Sequence, residues 1–142
     1  MNIYRGPNVG CMIGTAYQTL TAELGSALKE AGIPISVPEY LILRSLYDSE
    51  GIQICKLATI LGKDKGAVSR CVKGLSDKGF VHTEQVSHKC LKVFLSPTGI
   101  EIKPAVMQVA LSRHEALASI LTPQEREIFL SVLHKIINKH NI

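Results

Sequence analysis

Apolar positions along the chain recur at helical spacing, in runs that end at glycine or proline. Val9, Ile13, Ala16, Leu20, Leu24, Ala27 and Ala31 follow one another at steps of three and four, which predicts a long helix over about 9–31. Gly32 supplies its stop, and Ile33-Pro34 does not readily continue it. Ser36-Val37-Pro38-Glu39 then has the form of a capping box, with Ser36 accepting from the Glu39 amide and Glu39 reaching back. The helix it opens runs to about Ser49. It is apolar almost all round (Tyr40, Leu41, Ile42, Leu43, Leu46, Tyr47), the mark of a helix central to a core.

The middle of the chain changes rhythm. Ile54, Leu57, Ala58 and Leu61 fit one face of a short helix that Gly62 closes. Asp64 caps another, whose apolar face is Ala67, Val68, Cys71, Val72 and Leu75, and Gly79 ends it. Two short helices joined by a glycine-containing turn form a helix-turn-helix. Residues 80–86 and 90–95 are rich in β-branched and aromatic residues around a polar Ser87-His88-Lys89, which predicts a two-stranded hairpin, a wing directly after the helix-turn-helix. Ser96-Pro97 starts a further helix with Val106, Ala110, Leu117 and Leu121 on its face, and Pro104 should kink or break it near Glu101. Thr122-Pro123-Gln124-Glu125 is a second capping box. The helix after it carries Ile128, Phe129, Val132, Leu133, Ile136 and Ile137 on one stripe. The expected fold is mainly α with a small β-hairpin.

Composition narrows the function. The chain has 142 residues, 46% hydrophobic and 20% charged, which suits one globular domain. No apolar run approaches the roughly 18 residues of a membrane span, and Met1 to Pro7 lack a signal pattern, so a cytoplasmic protein without membrane contact is expected. Without Trp, and with 5% aromatics, there is little to build an aromatic platform for sugars or single strands. Cys11, Cys55, Cys71 and Cys90 form no CxxC pair, and His114, His134 and His140 have no metal-ligand spacing, so neither a disulfide framework nor a metal is expected. Cys55 and Cys71 read as core. GxSxG, HExxH, GxxxxGK and strand-borne GxGxxG motifs are all missing, which argues against an enzyme, and no cofactor is expected.

Charge points to a partner. Eight of the 16 Lys and Arg residues, but only three of the 12 Asp and Glu, lie between Gly51 and Leu95. Such a local excess suits a polyanion. On the helix capped by Asp64, Lys65, Ser69 and Lys73 form one stripe, and Gly66 and Arg70 form the next. Arg70 has the planar fork that reads guanine O6 and N7, Ser69 can meet a base or a phosphate, and Lys65 and Lys73 suit phosphates. Gly66 permits close backbone approach. Lys63 and Asp64 precede this helix, and His88, Lys89 and Lys92 supply the hairpin's basic groups for a minor groove.

Ile52 to Gly62 (IQICKLATILG), Asp64 to Val81 (DKGAVSRCVKGLSDKGFV), Leu95-Ser96 and Gly99 resemble the MarR family of winged helix-turn-helix transcriptional regulators, and the order of elements follows that family over nearly the whole chain. The resemblance implies a single domain over 1–142. Its dimerisation helices would be about 9–31 and 97–140, and its DNA-binding lobe about 36–96. It implies a homodimer on a pseudo-palindromic operator, usually a repressor, released by a small aromatic or apolar effector. The pocket would take residues such as Met12, Tyr17, Tyr40 and Tyr47. Oxidation of a thiol, with Cys11 as candidate, is the alternative trigger. A protein-interaction module without DNA binding is another alternative, motivated by the hairpin. Its tip reads Ser87-His88-Lys89-Cys90, about two residues short and without the family's Asp and Arg. Gly74, in mid-helix, should cost roughly 1 kcal/mol relative to Ala.

Overall fold

The computed structural model describes residues 8–139. Its elements are α1 (Val9–Glu30), α2 (Val37–Asp48), β1 (Ile52–Gln53), α3 (Ile54–Leu61), α4 (Lys65–Asp77), β2 (Val81–Ser87), β3 (Cys90–Leu95), α5 (Pro97–Glu101), α6 (Lys103–Ser119) and α7 (Pro123–Asn138). His140 and the Met1–Pro7 segment lie outside the described residues. The local signals operate as expected. Both capping boxes form, Ser36 with Glu39 and Thr122 with Glu125. Gly62 closes α3 in the left-handed region at φ 63. The break imposed by Pro104 falls at Ile102, which ends α5 before α6 begins.

Two compact units divide between Val109 and Ala110. The first is built around α2. Leu28, Ile42, Leu43, Leu46, Leu57, Val68, Leu75, Val93 and Val106 are all under 2% exposed. Side chains of this size each contribute about 1.5–3 kcal/mol on burial, so this cluster dominates the unit's stability. The second unit holds the remainder of α6 and all of α7, and α7 buries none of its residues in the single chain.

A third strand joins the hairpin. β1 pairs antiparallel with β3, Ile52 opposite Val93, so the sheet order is β1-β3-β2. Two residues carry no alternation, and the strand is invisible to pattern reading. Cys55 also departs from expectation, being exposed rather than in the core, while Cys71 is half-buried. The buried face of α3 is set by Leu57 and Ala58. Cys55 follows Ile54 by one residue, about 100° round the helix, and so faces water.

Candidate nucleic-acid interface

α4 buries one face and exposes the other. Val68, Val72 and Leu75 are at most 3% exposed, whereas Lys65, Gly66, Ser69, Arg70 and Lys73 are all exposed. The helix starts where it does because Asp64 Oδ1 accepts the Ala67 amide hydrogen at 2.8 Å. Arg70 bends back toward that end. Its Nη1 lies 3.4 Å from the place a Cβ on Gly66 would occupy, so the missing side chain makes room for the guanidinium. Lys73 is engaged by Asp77 at 3.3 Å, with both side chains about two-thirds or more exposed. An exposed pair of this kind is worth about 0.2–1 kcal/mol. Lys63 is half-buried in the turn, where its amide hydrogen bonds Ala58 O.

The far end of α4 is held by charge. Glu39, only 6% exposed at the start of α2, accepts through Oε1 from the Ser36 amide at 2.8 Å and from Lys78 Nζ at 2.7 Å. Burial pushes its carboxyl up. The Lys78 hydrogen bond, with the Ser36 amide and the Lys78 charge, outweighs this and holds it below the ordinary carboxylate value. Gly74 belongs to the same contact. A Cβ there would stand 2.7 Å from Glu39 Oε2. The glycine that weakens α4 as a helix is what lets the carboxylate lie against it.

The hairpin turns at His88-Lys89. Its register shifts between Gln85 and Ser87, leaving Val86 bulged. Gln85 Nε2 braces the turn by donating to Ser87 O at 2.7 Å and, more weakly, to His88 O at 3.4 Å. His88 and Lys89 are exposed at the tip. Lys92 is half-buried on β3, opposite Glu84. Glu84 also meets His82 Nε2 at 3.4 Å. Of the hairpin cations singled out in the sequence, His88 and Lys89 are therefore the ones presented outward.

The residues expected to line a ligand pocket differ in exposure. Met12 and Tyr17 are more than half exposed on α1, and Tyr40 is a core residue at 5%. Tyr47 is half-buried and donates to Gly99 O at 3.0 Å, and burial pushes its hydroxyl up to about 12. Cys11 is exposed in the first turn of α1, where its amide bonds Asn8 Oδ1. Among the described residues, no three His, Cys, Asp or Glu side chains come together as a metal set.

A three-helix core whose third helix presents cations, followed by a hairpin against the same core, defines the winged helix-turn-helix class. A model of the MarR family matches residues 35–86, the stretch from the start of α2 to the wing. The chain has a winged helix-turn-helix fold, and its likeness to solved structures extends beyond that stretch. The chain is 27% identical over 100 residues to the HTH-type transcriptional regulator YybA of Bacillus subtilis, covering 69% of this chain and 67% of YybA. A cysteine-to-serine mutant of Escherichia coli MarR, solved in complex with operator DNA, superposes with a TM-score of 0.81 at 24% identity, covering 90% of this chain and 92% of that one. BpsR of Bordetella bronchiseptica, whose DNA binding is regulated by 6-hydroxynicotinic acid, superposes with a TM-score of 0.81 at 17% identity, covering 96% and 97%. At such identities the structural likeness concerns the fold.

Proposed function

We propose that this protein is a homodimeric transcriptional repressor that binds a pseudo-palindromic operator through α4 and is released by a small effector with an apolar or aromatic body. The observation that carries the reading is the outward row Lys65, Ser69, Arg70 and Lys73 on a helix whose opposite face is locked in the core. Arg70 reads a base, Lys65 and Lys73 hold phosphates, and His88 and Lys89 reach the neighbouring groove. Open apolar stripes on α1 and α7 support the dimer. Val9, Met12, Ile13, Tyr17 and Leu20 on α1 are each 38% exposed or more, and Ile128, Phe129, Val132, Ile136 and Ile137 on α7 are each at least 41% exposed. A second copy would cover such stripes, which one small lobe leaves open. A twofold pair then offers two recognition helices about 34–36 Å apart, one turn of DNA.

The test is a mobility shift on the DNA flanking the gene at two salt concentrations. Each phosphate contact should add about 0.9 to the salt slope, and Arg70→Ala should cost about 1–3 kcal/mol on operator but little on random DNA. Binding that ignores salt, or an Arg70→Ala protein that treats both DNAs as the native protein does, rejects the proposal.

A further inference from the structure

A cleft of about 350 Å³ opens in the first unit between the C-terminal end of α2, the root of the hairpin and the turn from α5 into α6. No residue of α1 lines it. Leu46, Phe94, Leu95 and Ile100 give it an apolar wall, and the ring of His82 stacks on Phe94 with centroids 5.5 Å apart and planes 14° apart. The wall is built. Gly51, at φ 70, closes one side, and a Cβ there would stand 2.5 Å from Phe94 Cε1, so the aromatic ring keeps its place only over glycine. Tyr47 is fixed by its bond to Gly99 O.

Two charges of opposite sign line the same space. Lys103 Nζ stands 5.5 Å from the centre of the Tyr47 ring, and Glu50 lies where α2 gives way to β1. Among the described residues neither has an ion-pair partner, and the two are not within ion-pair distance of one another. A simple anion would satisfy Lys103 and be repelled by Glu50. A simple cation would do the reverse. A molecule bearing both an ammonium and a carboxylate on an apolar body matches all three features at once. We propose that the cleft binds an α-amino acid with an apolar or aromatic side chain, its carboxylate on Lys103, its ammonium on Glu50 and its side chain against Phe94 and Ile100. The volume is within the range of small-molecule sites, about 300–1,000 Å³. This deepens the effector part of the function proposed above, and only its regulatory consequence rests on DNA binding.

The experiment is calorimetry on the DNA-free protein with L-phenylalanine and L-leucine, against benzoate and phenethylamine, which keep the ring and one charge each. The amino acids should bind at least tenfold more tightly than either single-charge probe. Lys103→Met and Glu50→Gln, both at exposed positions, should each weaken L-phenylalanine at least tenfold while leaving the melting temperature of the ligand-free protein within a degree or two. Equal affinity for benzoate, insensitivity to Glu50→Gln, or no heat with either amino acid overturns the proposal. Failure of the DNA shift with amino-acid binding intact rejects the operator reading alone. A DNA shift without amino-acid binding rejects this site alone.

Discussion

Removing the Lys78 ammonium tests how α4 is seated on α2. Lys78→Met keeps most of the side chain's length and deletes one hydrogen bond of 2.7 Å to Glu39, whose side chain is 7% exposed. A buried pair broken from one side costs about 3–5 kcal/mol, and an exposed pair about 0.2–1 kcal/mol. Here one partner is buried and the other, at 39%, is open to water on one flank. Glu39 also keeps its bond from the Ser36 amide. These features put the loss between the limits, at about 1–3 kcal/mol, the cost of an under-satisfied buried acceptor. Urea unfolding reads this directly, and with a slope of about 1–3 kcal/mol per molar the midpoint should fall by about 1 M. Glu39→Gln closes a double-mutant cycle, because glutamine still serves a capping box. The coupling should exceed 1 kcal/mol at pH 7. Its pH dependence has a fixed sign. A carboxyl held below its unfolded value of 4.5 contributes fully above that value and loses the contribution as pH falls through its folded value. Native protein and Glu39→Gln should therefore converge on acidification. A coupling within the additivity error of about 0.3–0.5 kcal/mol at pH 7, or stability curves that stay parallel down to the acid limb, would refute the account.

Other outcomes follow from the same contacts. Gly74→Ala gains about 1 kcal/mol of helix propensity, yet its Cβ would meet Glu39 Oε2 at 2.7 Å. The net effect in urea unfolding should be destabilising by about 1–2 kcal/mol, and Glu39→Ala should relieve much of it. Lys65→Ala should lower the salt slope of DNA binding by about 1 without changing base preference. Asp77→Asn should tighten non-specific binding slightly, because it frees Lys73 from its exposed pair. Val132→Asp with Ile136→Glu on α7, where both residues are more than 40% exposed in the single chain, should yield a monomer in sedimentation and abolish high-affinity operator binding. A dimer unaffected by that pair of charges would move the subunit interface elsewhere.

What sequence reading recovers here is whatever short-range chemistry decides. Asp64, Ser36 and Thr122 announce helix starts because a side-chain oxygen three residues before an amide is the whole device, and all three bonds form. Pro104 breaks its helix for an equally local reason. The contacts that seat and shape the lobe are long-range. Glu39 and Lys78 are 39 residues apart, and nothing near either residue announces the other. Gly74 therefore reads as a defect in the sequence and as a fitted surface in the fold. The cleft draws on residues from Leu46 to Lys103, scattered over α2, the β1 approach, both hairpin strands and the α5–α6 turn, so no window contains it. Tyr40 and Tyr47 look equivalent on an all-apolar helix. Their seven-residue separation is close to two turns, and only the strands and α5 packed beside Tyr47 make one a core residue and the other a cleft wall.

The hairpin links cleft and tip by its register. His82 faces Phe94 across the ladder, and two residues closer to the tip Glu84 faces Lys92. Side chains two apart on a strand share a face, so the aromatic pair in the cleft and the charged pair below the tip lie in one row. His82 joins the two rungs directly through its 3.4 Å contact with Glu84. A ligand that displaced the His82 ring from Phe94 would release Glu84 toward Lys92 alone and alter the charge beside His88 and Lys89. Such a ligand changes DNA affinity only by the difference in its own affinity for the two wing arrangements. The His82→Phe protein keeps an aromatic pair and loses the Glu84 contact, so at saturating L-phenylalanine, whatever its own affinity for the amino acid, its DNA affinity should shift less than that of the native protein. Equal loss of DNA affinity on adding the amino acid to both proteins would rule out this row as the connection.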